Sequence, residues 1–480
     1  MKKNYYITTT LPYLNAELHL GHAIEFIRAD VIARVKKAQG YDVFFNTGTD
    51  EHGIKIYRNA QAVGQAPQDY VDGLFAKFKE LLPQLGLSSD INIIRTTDEY
   101  HKASAQAFWN KCKDNGFIYK KNYKIKYCVG CELEKTDSEL VDGKCSIHPL
   151  MNIEEIDEEN YFFKFSELDK ALLNLYKDNP KLVVPDFRFN EIKAFVERGL
   201  QDFSISRVKA KMPWGVEVPD DSTQVMYVWF DALVSYISAI GWPDDMQRFE
   251  KYWIESDNVV QYCGKDNLRQ QSAMWQAMLL AAKIPNSRQI VIDGFVTGEG
   301  GIKMSKSLGN VVSPVDVMKE YGTDALRFFL LKEVNPFEDS PFTMERFKEA
   351  YNAHLANGLG NLVSRVMKMA ESNGVMLDLK AAPDLEINKH NEFYNSFEIN
   401  KVCDDIWDHI QSVDKFIQEF QPFKTVKVDL EKGKQQIAFC LASVWYIAKA
   451  LEPLLPESSA VIQEGIKAGK MPEKPLFMRK

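Results

Sequence analysis

Residues 5–45 arrange a strand, a helix and a second strand in succession, and no other feature limits the fold of this chain as much. Residues 5–10 are β-branched and aromatic, the composition of a buried strand, and Pro12 and Asn15 break the run. Over residues 21–37 the apolar positions Ile24, Ile27, Val31 and Val35 step by three and four, the period of an amphipathic helix. Gly40 ends that helix, and residues 41–45 return to strand character. Such a run folds into a parallel strand pair joined by a right-handed crossover. The order recurs, with strand character at 258–263, a helical pattern at 268–283 and strand again at 289–296. The expectation is an α/β fold with a doubly wound parallel sheet.

Between the two halves the texture changes. Residues 116–224 hold a Cys/His cluster, an acidic stretch at 154–159 and aromatic strand-like pieces, and read as an insertion into the sheet fold. After Phe342 the strand patterns give way to long helical ones that run to about Pro453, with Trp407 and Trp445 expected in the core of a helical bundle. The expected division is therefore residues 1–115, 116–224, 225–342 and 343–480. A chain of 480 residues exceeds one ordinary core, which agrees with several parts.

A net charge of −8 excludes a protein that coats nucleic acid through bulk charge, while leaving room for a local basic surface. No apolar run approaches the roughly 20 residues that span a bilayer. The first six residues lack the apolar stretch of a signal peptide, so a cytoplasmic protein is expected. Seven cysteines in this length are not a disulfide framework. Three of them, with one histidine, form Cys128-x2-Cys131-x13-Cys145-x2-His148, the spacing of a tetrahedral zinc knuckle. All four positions would be filled by protein, so the metal would be structural. Buried unpaired thiols are the competing reading.

Two short motifs carry the chemistry. His19-Leu20-Gly21-His22 stands where the first strand has turned into its helix. Amide N–H groups at a helix start attract anions, and Gly21 lets a ligand approach the main chain. Two imidazoles there could donate to phosphate oxygens as charge builds on phosphorus; solvated histidines or a metal pair would be the plainer readings. Lys303-Met304-Ser305-Lys306-Ser307 follows a strand and the stretch Gly298-Glu299-Gly300-Gly301. Its lysines could close over a triphosphate and neutralise charge as pyrophosphate leaves; alone it would pass for an exposed basic loop. Neither a dinucleotide fingerprint nor a P-loop is present.

Taken together, the two motifs resemble those of the class I aminoacyl-tRNA synthetases, His-Ile-Gly-His and Lys-Met-Ser-Lys-Ser; only Leu20 differs. The resemblance implies a Rossmann-like catalytic domain that uses ATP and Mg2+, with His19, His22, Lys303 and Lys306 catalytic. Gly21, Gly264 and Asp266 would join those four in holding ATP. Within the class, the turn Thr10-Leu11-Pro12-Tyr13-Leu14-Asn15 and the segment Tyr227-Val228-Trp229-Phe230-Asp231-Ala232 resemble the methionyl family. That resemblance implies L-methionine and tRNA(Met) as substrates. Leu11, Tyr13, Trp229, Ala232, Tyr236 and Trp275 would line the methionine pocket, with Asp50 meeting the ammonium. Aromatic rings suit a polarizable thioether and a carboxylate suits an ammonium; ordinary core packing is the alternative for the aromatics. Residues 267–271 depart from the family, which often has histidine where Gln271 stands. In the helical region Asn361 and Arg365 share a face and would read the anticodon, with Phe423 at a position where the family commonly has tryptophan. A monomer is expected. Competing readings are a class I enzyme for cysteine or leucine, a catalytically silent relative that binds tRNA, and a nucleotidyltransferase of similar sheet fold.

Overall fold

The computed structural model describes residues 2–135, 137–302, 304, 311–379 and 389–480. It divides into two compact units. The first comprises residues 1–17, 42–80 and 90–292, and the second residues 18–41, 81–89 and 293–480.

The first unit is built on a six-stranded sheet. Its strands are β1 (Asn4–Thr9), β2 (Asp42–Thr49), β3 (Asn92–Arg95), β4 (Val183–Val184), β5 (Val259–Gly264) and β6 (Gln289–Asp293), in the spatial order β3-β2-β1-β5-β6-β4. The pairs β3/β2, β2/β1, β1/β5 and β6/β4 are parallel. Tyr6 and Ile7 of β1 are fully buried, as a central strand covered on both faces requires. The strand expected over 289–296 ends at Asp293, and Val296–Thr297 pairs with Ser340–Pro341 instead. Gly294 lies at the break, where a Cβ would come within 2.3 Å of the Glu338 carbonyl oxygen.

The segment 116–224 returns to the main sheet, because Val183–Val184 is its edge strand β4. Its own sheet pairs Ile118–Cys128 antiparallel with both Glu154–Phe163 and Leu133–Lys135. The acidic stretch thereby finds its partners: Lys120 faces Glu159 and Lys124 faces Glu155 at 3.4 and 3.5 Å. These exposed pairs hold register more than they add stability. The aromatic residues Phe163, Tyr176 and Phe230 join Trp109, Trp253 and Trp275 in one core.

In the second unit, α1 (Leu20–Ala38) is followed in the chain by β2. Mid-helix, the buried Asp30 carboxylate accepts from Arg34 (2.7 Å), Arg327 (3.1 Å) and both the amide and hydroxyl of Ser88 (2.9 and 2.7 Å). Two residues earlier Arg28 pairs with Asp293 at 3.2 Å and donates to the Val334 and Pro336 carbonyls. Asp30, Arg28 and Arg327 are thus paired and hydrogen-bonded, the condition for keeping charge out of water. Asp293, by contrast, is paired with Arg28, but neither of its carboxylate oxygens has a hydrogen-bond partner among the described residues, and burial raises its pKa to about 6.

The helical region contains α2 (Asn361–Ser372), α3 (Ile399–Phe420), α4 (Leu430–Leu451) and α5 (Pro456–Ala468), so helices continue past Pro453. On α3, Val402, Ile406, Ile410, Val413 and Ile417 are buried at steps of three and four, the stripe that packs a bundle. Trp407 is buried with them. Trp445 is not in that core: its ring is half-buried, with the Lys467 ammonium 5.8 Å from its centre.

Candidate active site and metal centre

At the start of α1, His19 is the N-cap and accepts the Gly21 amide on Nδ1 at 3.1 Å. His22 Nδ1 accepts the His19 amide at 3.3 Å, which closes a reciprocal capping box. An imidazole nitrogen that accepts a hydrogen bond carries no proton, so in each ring the proton sits on Nε2. The two rings lie 4.0 Å apart between centroids. A Cβ on Gly21 would stand 2.9 Å from His19 Cε1, so only glycine lets the first ring fold back. The first turn carries no carboxylate. What results is a helix start with two oriented N–H donors and an anion-attracting dipole.

Lys303 and Lys306 lie outside the described residues, while Met304 between them is buried. The chain beyond them comes back to α1, where the Val312 carbonyl accepts from the Leu20 amide at 3.4 Å. Residues 19–22, Met304 and Val312 thus belong to one compact unit.

The proposed amino-acid residues gather within the first unit. Tyr13 and Asp50 form a parallel bridge: Asp50 donates its amide to the Pro12 carbonyl (3.0 Å), and its own carbonyl accepts from Leu14 (2.8 Å). Leu11 packs with Ile94 and Ala239. The Asp50 side chain is buried, and its Oδ1 has no hydrogen-bond partner among the described residues. Burial pushes its carboxyl well above the ordinary carboxylate range, and the neighbouring Asp231 carboxyl adds to the shift. Asp231 sits on the short helix Val228–Ala232, which also carries Trp229 and Ala232, and is itself bonded to His52 Nδ1 at 3.0 Å. Tyr236 and Trp275 meet edge to face with centroids 5.9 Å apart.

Gln271 fills the place that departs from the family pattern. Its amide donates to the Tyr236 hydroxyl at 2.6 Å and accepts from Gln261 at 3.3 Å. It stands in a π-helical turn, Gln270–Met274, inside the helical stretch expected at 268–283. That wider turn is completed by the Gln276 side chain, which donates to the Gln271 carbonyl at 3.0 Å. Gly264 ends β5, and Asp266 follows in a single 3-10 turn.

Cys128, Cys131, Cys145 and His148 place four ligand atoms within 4.8 Å of one another. Cys131 Sγ lies 3.4 Å from Cys145 Sγ and 3.1 Å from His148 Nδ1. These separations suit one tetrahedral ion with metal–ligand bonds of about 2.0–2.3 Å. Hydrogen bonding between Cys128 and Cys131 draws the Cys128 thiol down and pushes the Cys131 thiol up, so the two titrate as a pair.

On the helical bundle, Asn361 is exposed at the start of α2, and Arg365 one turn on is paired with Asp414 of α3 at 2.7 Å. Phe423 is exposed on the short helix Pro422–Val428. The half-buried Phe416 contacts the exposed rings of Phe420 and Phe439, with centroids 4.7 and 4.6 Å apart.

The family of class I tRNA synthetases (M) matches residues 5–155 and 134–367. The methionine–tRNA ligase of Thermosynechococcus vestitus is 39% identical over 96% of this chain and 90% of its own. That of Thermotoga maritima is 37% identical over 98% of this chain and 76% of its own. The chain belongs to the methionine–tRNA ligase family. Among solved structures, the Mycobacterium tuberculosis methionyl-tRNA synthetase in complex with methionyl-adenylate superposes with a TM-score of 0.89 and 34% identity, covering 96% of this chain and 93% of that one. The free-state structure of the same protein gives 0.83 and 30%, over 100% and 99%.

Three side chains of this methionine–tRNA ligase family member hold the site in ways their sequence context does not announce. Gln271 departs from the family pattern, and its amide holds Tyr236. Asp414 was hidden on an ordinary polar face of α3. Glu132, beside a metal ligand, accepts from Tyr13 at 2.9 Å. Its neighbour in the metal motif was the only available signal.

Proposed function

We infer that this chain activates L-methionine with ATP, forming methionyl-adenylate and pyrophosphate, and transfers the methionyl group to the 3′ end of tRNA(Met). The single observation that carries the substrate reading is Asp50, a buried carboxylate with an oxygen awaiting a donor beside Tyr13. An ammonium supplies that donor and its charge, and burial strengthens the pair once it forms. Leu11, Tyr13, Trp229, Ala232, Tyr236 and Trp275 would surround the thioether, for which polarizable rings are good partners.

His19 and His22 would donate from Nε2 to phosphate oxygens of ATP as charge grows in the transition state, with Gly21, Gly264 and Asp266 binding the nucleotide. Lys303 and Lys306 would neutralise the departing pyrophosphate. Magnesium, carried in with ATP, would neutralise further phosphate charge. The carboxylate of methionine attacks the α-phosphorus, the bond to pyrophosphate breaks, and no covalent protein intermediate is needed. Positioning and charge stabilisation are the protein's contribution.

Zinc is the ion we assign to Cys128, Cys131, Cys145 and His148; four protein ligands leave no open position for chemistry. Residues 343–480 are proposed as the anticodon-binding part, with Asn361, Arg365 and Phe423 at the RNA. Residues 1–115 and 225–342 would form the catalytic part, and 116–224 its metal-bearing insertion. We further propose a monomer working in the cytoplasm, where thiols stay reduced for the metal; light scattering that returns a dimer mass overturns the first point. No helix among the described residues is long and apolar enough to cross a membrane.

ATP–pyrophosphate exchange with each of the twenty amino acids tests the activity. Exchange driven by methionine alone is the expected result, and exchange with cysteine, leucine or none overturns the reading.

A further inference from the structure

Glu132 immediately follows the metal ligand Cys131, and its backbone is left-handed, with φ of 52°. A non-glycine residue pays conformational energy there and stays only when its surroundings hold it. The side chain is buried, and every one of its contacts belongs to the first unit. Oε1 accepts the Tyr13 hydroxyl at 2.9 Å and the Lys55 amide at 3.0 Å. Oε2 accepts the Tyr127 hydroxyl, and the Glu132 carbonyl accepts the Tyr227 hydroxyl.

Each contact ties the metal knuckle to something beside the amino-acid pocket. The Lys55 amide lies at the start of the helix Ile54–Ala62, whose N-cap Gly53 offers no side chain, so Glu132 supplies the missing anionic cap. Gly53 is fixed in turn: a Cβ there would come within 2.6 Å of the Tyr13 hydroxyl and 3.1 Å of Glu132 Oε1. Asp50 is three residues ahead of Gly53 and is bridged to Tyr13. Tyr227 opens the helix that carries Trp229 and Asp231. The knuckle turn is therefore braced against both chain segments that build the pocket.

We propose that Glu132 is a positioning residue for methionine, fixing Tyr13 from the metal knuckle, so that the order of the knuckle sets amino-acid affinity. This rests on the reading that Tyr13 lines the methionine pocket, and the experiment separates the two. Methionine Kd is measured by calorimetry without ATP on metal-loaded wild type, Y13A, Y13F, E132A and E132Q, with metal content and melting temperature recorded for each. Glu132→Ala is expected to raise the methionine Kd about tenfold, the scale of one hydrogen bond to a charged group. Metal content and the KM for ATP stay unchanged. Glu132→Gln, which keeps an acceptor for Tyr13, restores most of the affinity. In a Tyr13→Phe background the effect of Glu132→Ala largely disappears. If Tyr13→Ala leaves the Kd unchanged, the pocket reading fails. If Tyr13→Ala weakens binding while metal-loaded Glu132→Ala does not, the pocket reading stands and Glu132 positions nothing. Should Glu132→Ala shed its metal, Glu132→Asp decides, because it keeps the charge but withdraws it by one methylene. An unchanged Kd in that variant overturns the proposal.

Discussion

Asp50 keeps a buried carboxylate oxygen without a partner, an arrangement that costs the fold and serves the ligand. Its folded pKa lies above the unfolded value, so between the two the native state holds the extra proton. Stability contributed by that proton is lost as pH rises through this interval. Asp50→Asn removes the charge, and we expect it to raise stability near neutral pH by roughly 1–3 kcal/mol, read from denaturant melts. The same variant should weaken methionine binding by about 10²-fold, because the ammonium loses its buried counter-charge. In the wild type, methionine affinity should improve as pH rises through the elevated pKa, since binding displaces a proton. A pH-independent Kd would contradict this. His22 allows a second separation at the same scale. Asn places an acceptor near the position of Nδ1 and Gln a donor near that of Nε2. His22→Asn should keep the helix cap and melting temperature yet lose ~10²–10³ in kcat. His22→Gln should retain more rate, because its amide keeps a donor near the position of Nε2. Equal rates in the two variants would argue against the tautomer assigned from the capping box.

Elements differ in how openly the sequence announces them. The strand β1 and helix α1 are legible because each buries a regular stripe, and the metal ligands because their spacing has few other causes. The π-helical turn Gln270–Met274 is not legible: reading residues 268–283 at a 3.6 period cannot register a turn that gains one residue and is closed by the Gln276 side chain. Glu132 is silent for another reason, since its left-handed backbone is usually signalled by glycine and here is imposed by its contacts. The knuckle is the element whose stability depends most on something outside the chain. Among the described residues its two short strands, Leu140–Val141 and Lys144–Cys145, pair only with each other, and of their residues Cys145 alone is buried. Metal at such sites can contribute ~10–16 kcal/mol of apparent binding energy in finger peptides. Stripping the metal with a chelator should therefore open residues 128–150 to hydrogen exchange while β1, β2 and β5 stay protected. Unchanged protection over 128–150 after verified metal loss would mean that the sheet Ile118–Cys128/Glu154–Phe163 holds the knuckle unaided.

At the scale of the whole molecule, amino-acid activation and RNA recognition are assigned to residues far apart in sequence, so they should fail independently. Trp407 met the bundle core expected for it, whereas Trp445 faces Lys467 at the surface, because a helical period locates a face without saying which face is covered. The polar residues proposed at the RNA present the same ambiguity, and Arg365 resolves it in an informative way. Its guanidinium is held by Asp414 at 2.7 Å, with both side chains partly exposed, so the pair itself adds little stability. What it provides is orientation: one carboxylate fixes one edge of a planar donor and leaves other N–H groups for a base. Arg365→Ala should therefore lower kcat/KM for tRNA(Met) charging by roughly 10–200-fold, the range for losing one good base contact. Methionine-dependent ATP–pyrophosphate exchange should stay within about twofold, because surface changes away from a site are usually near neutral. Asp414→Asn should fall between wild type and Arg365→Ala in charging, since it keeps an acceptor but releases the charge that aligns the guanidinium. A variant at Arg365 that lost exchange and charging together would show the two activities sharing more structure than this assignment allows. One that lost neither would remove Arg365 from the RNA surface.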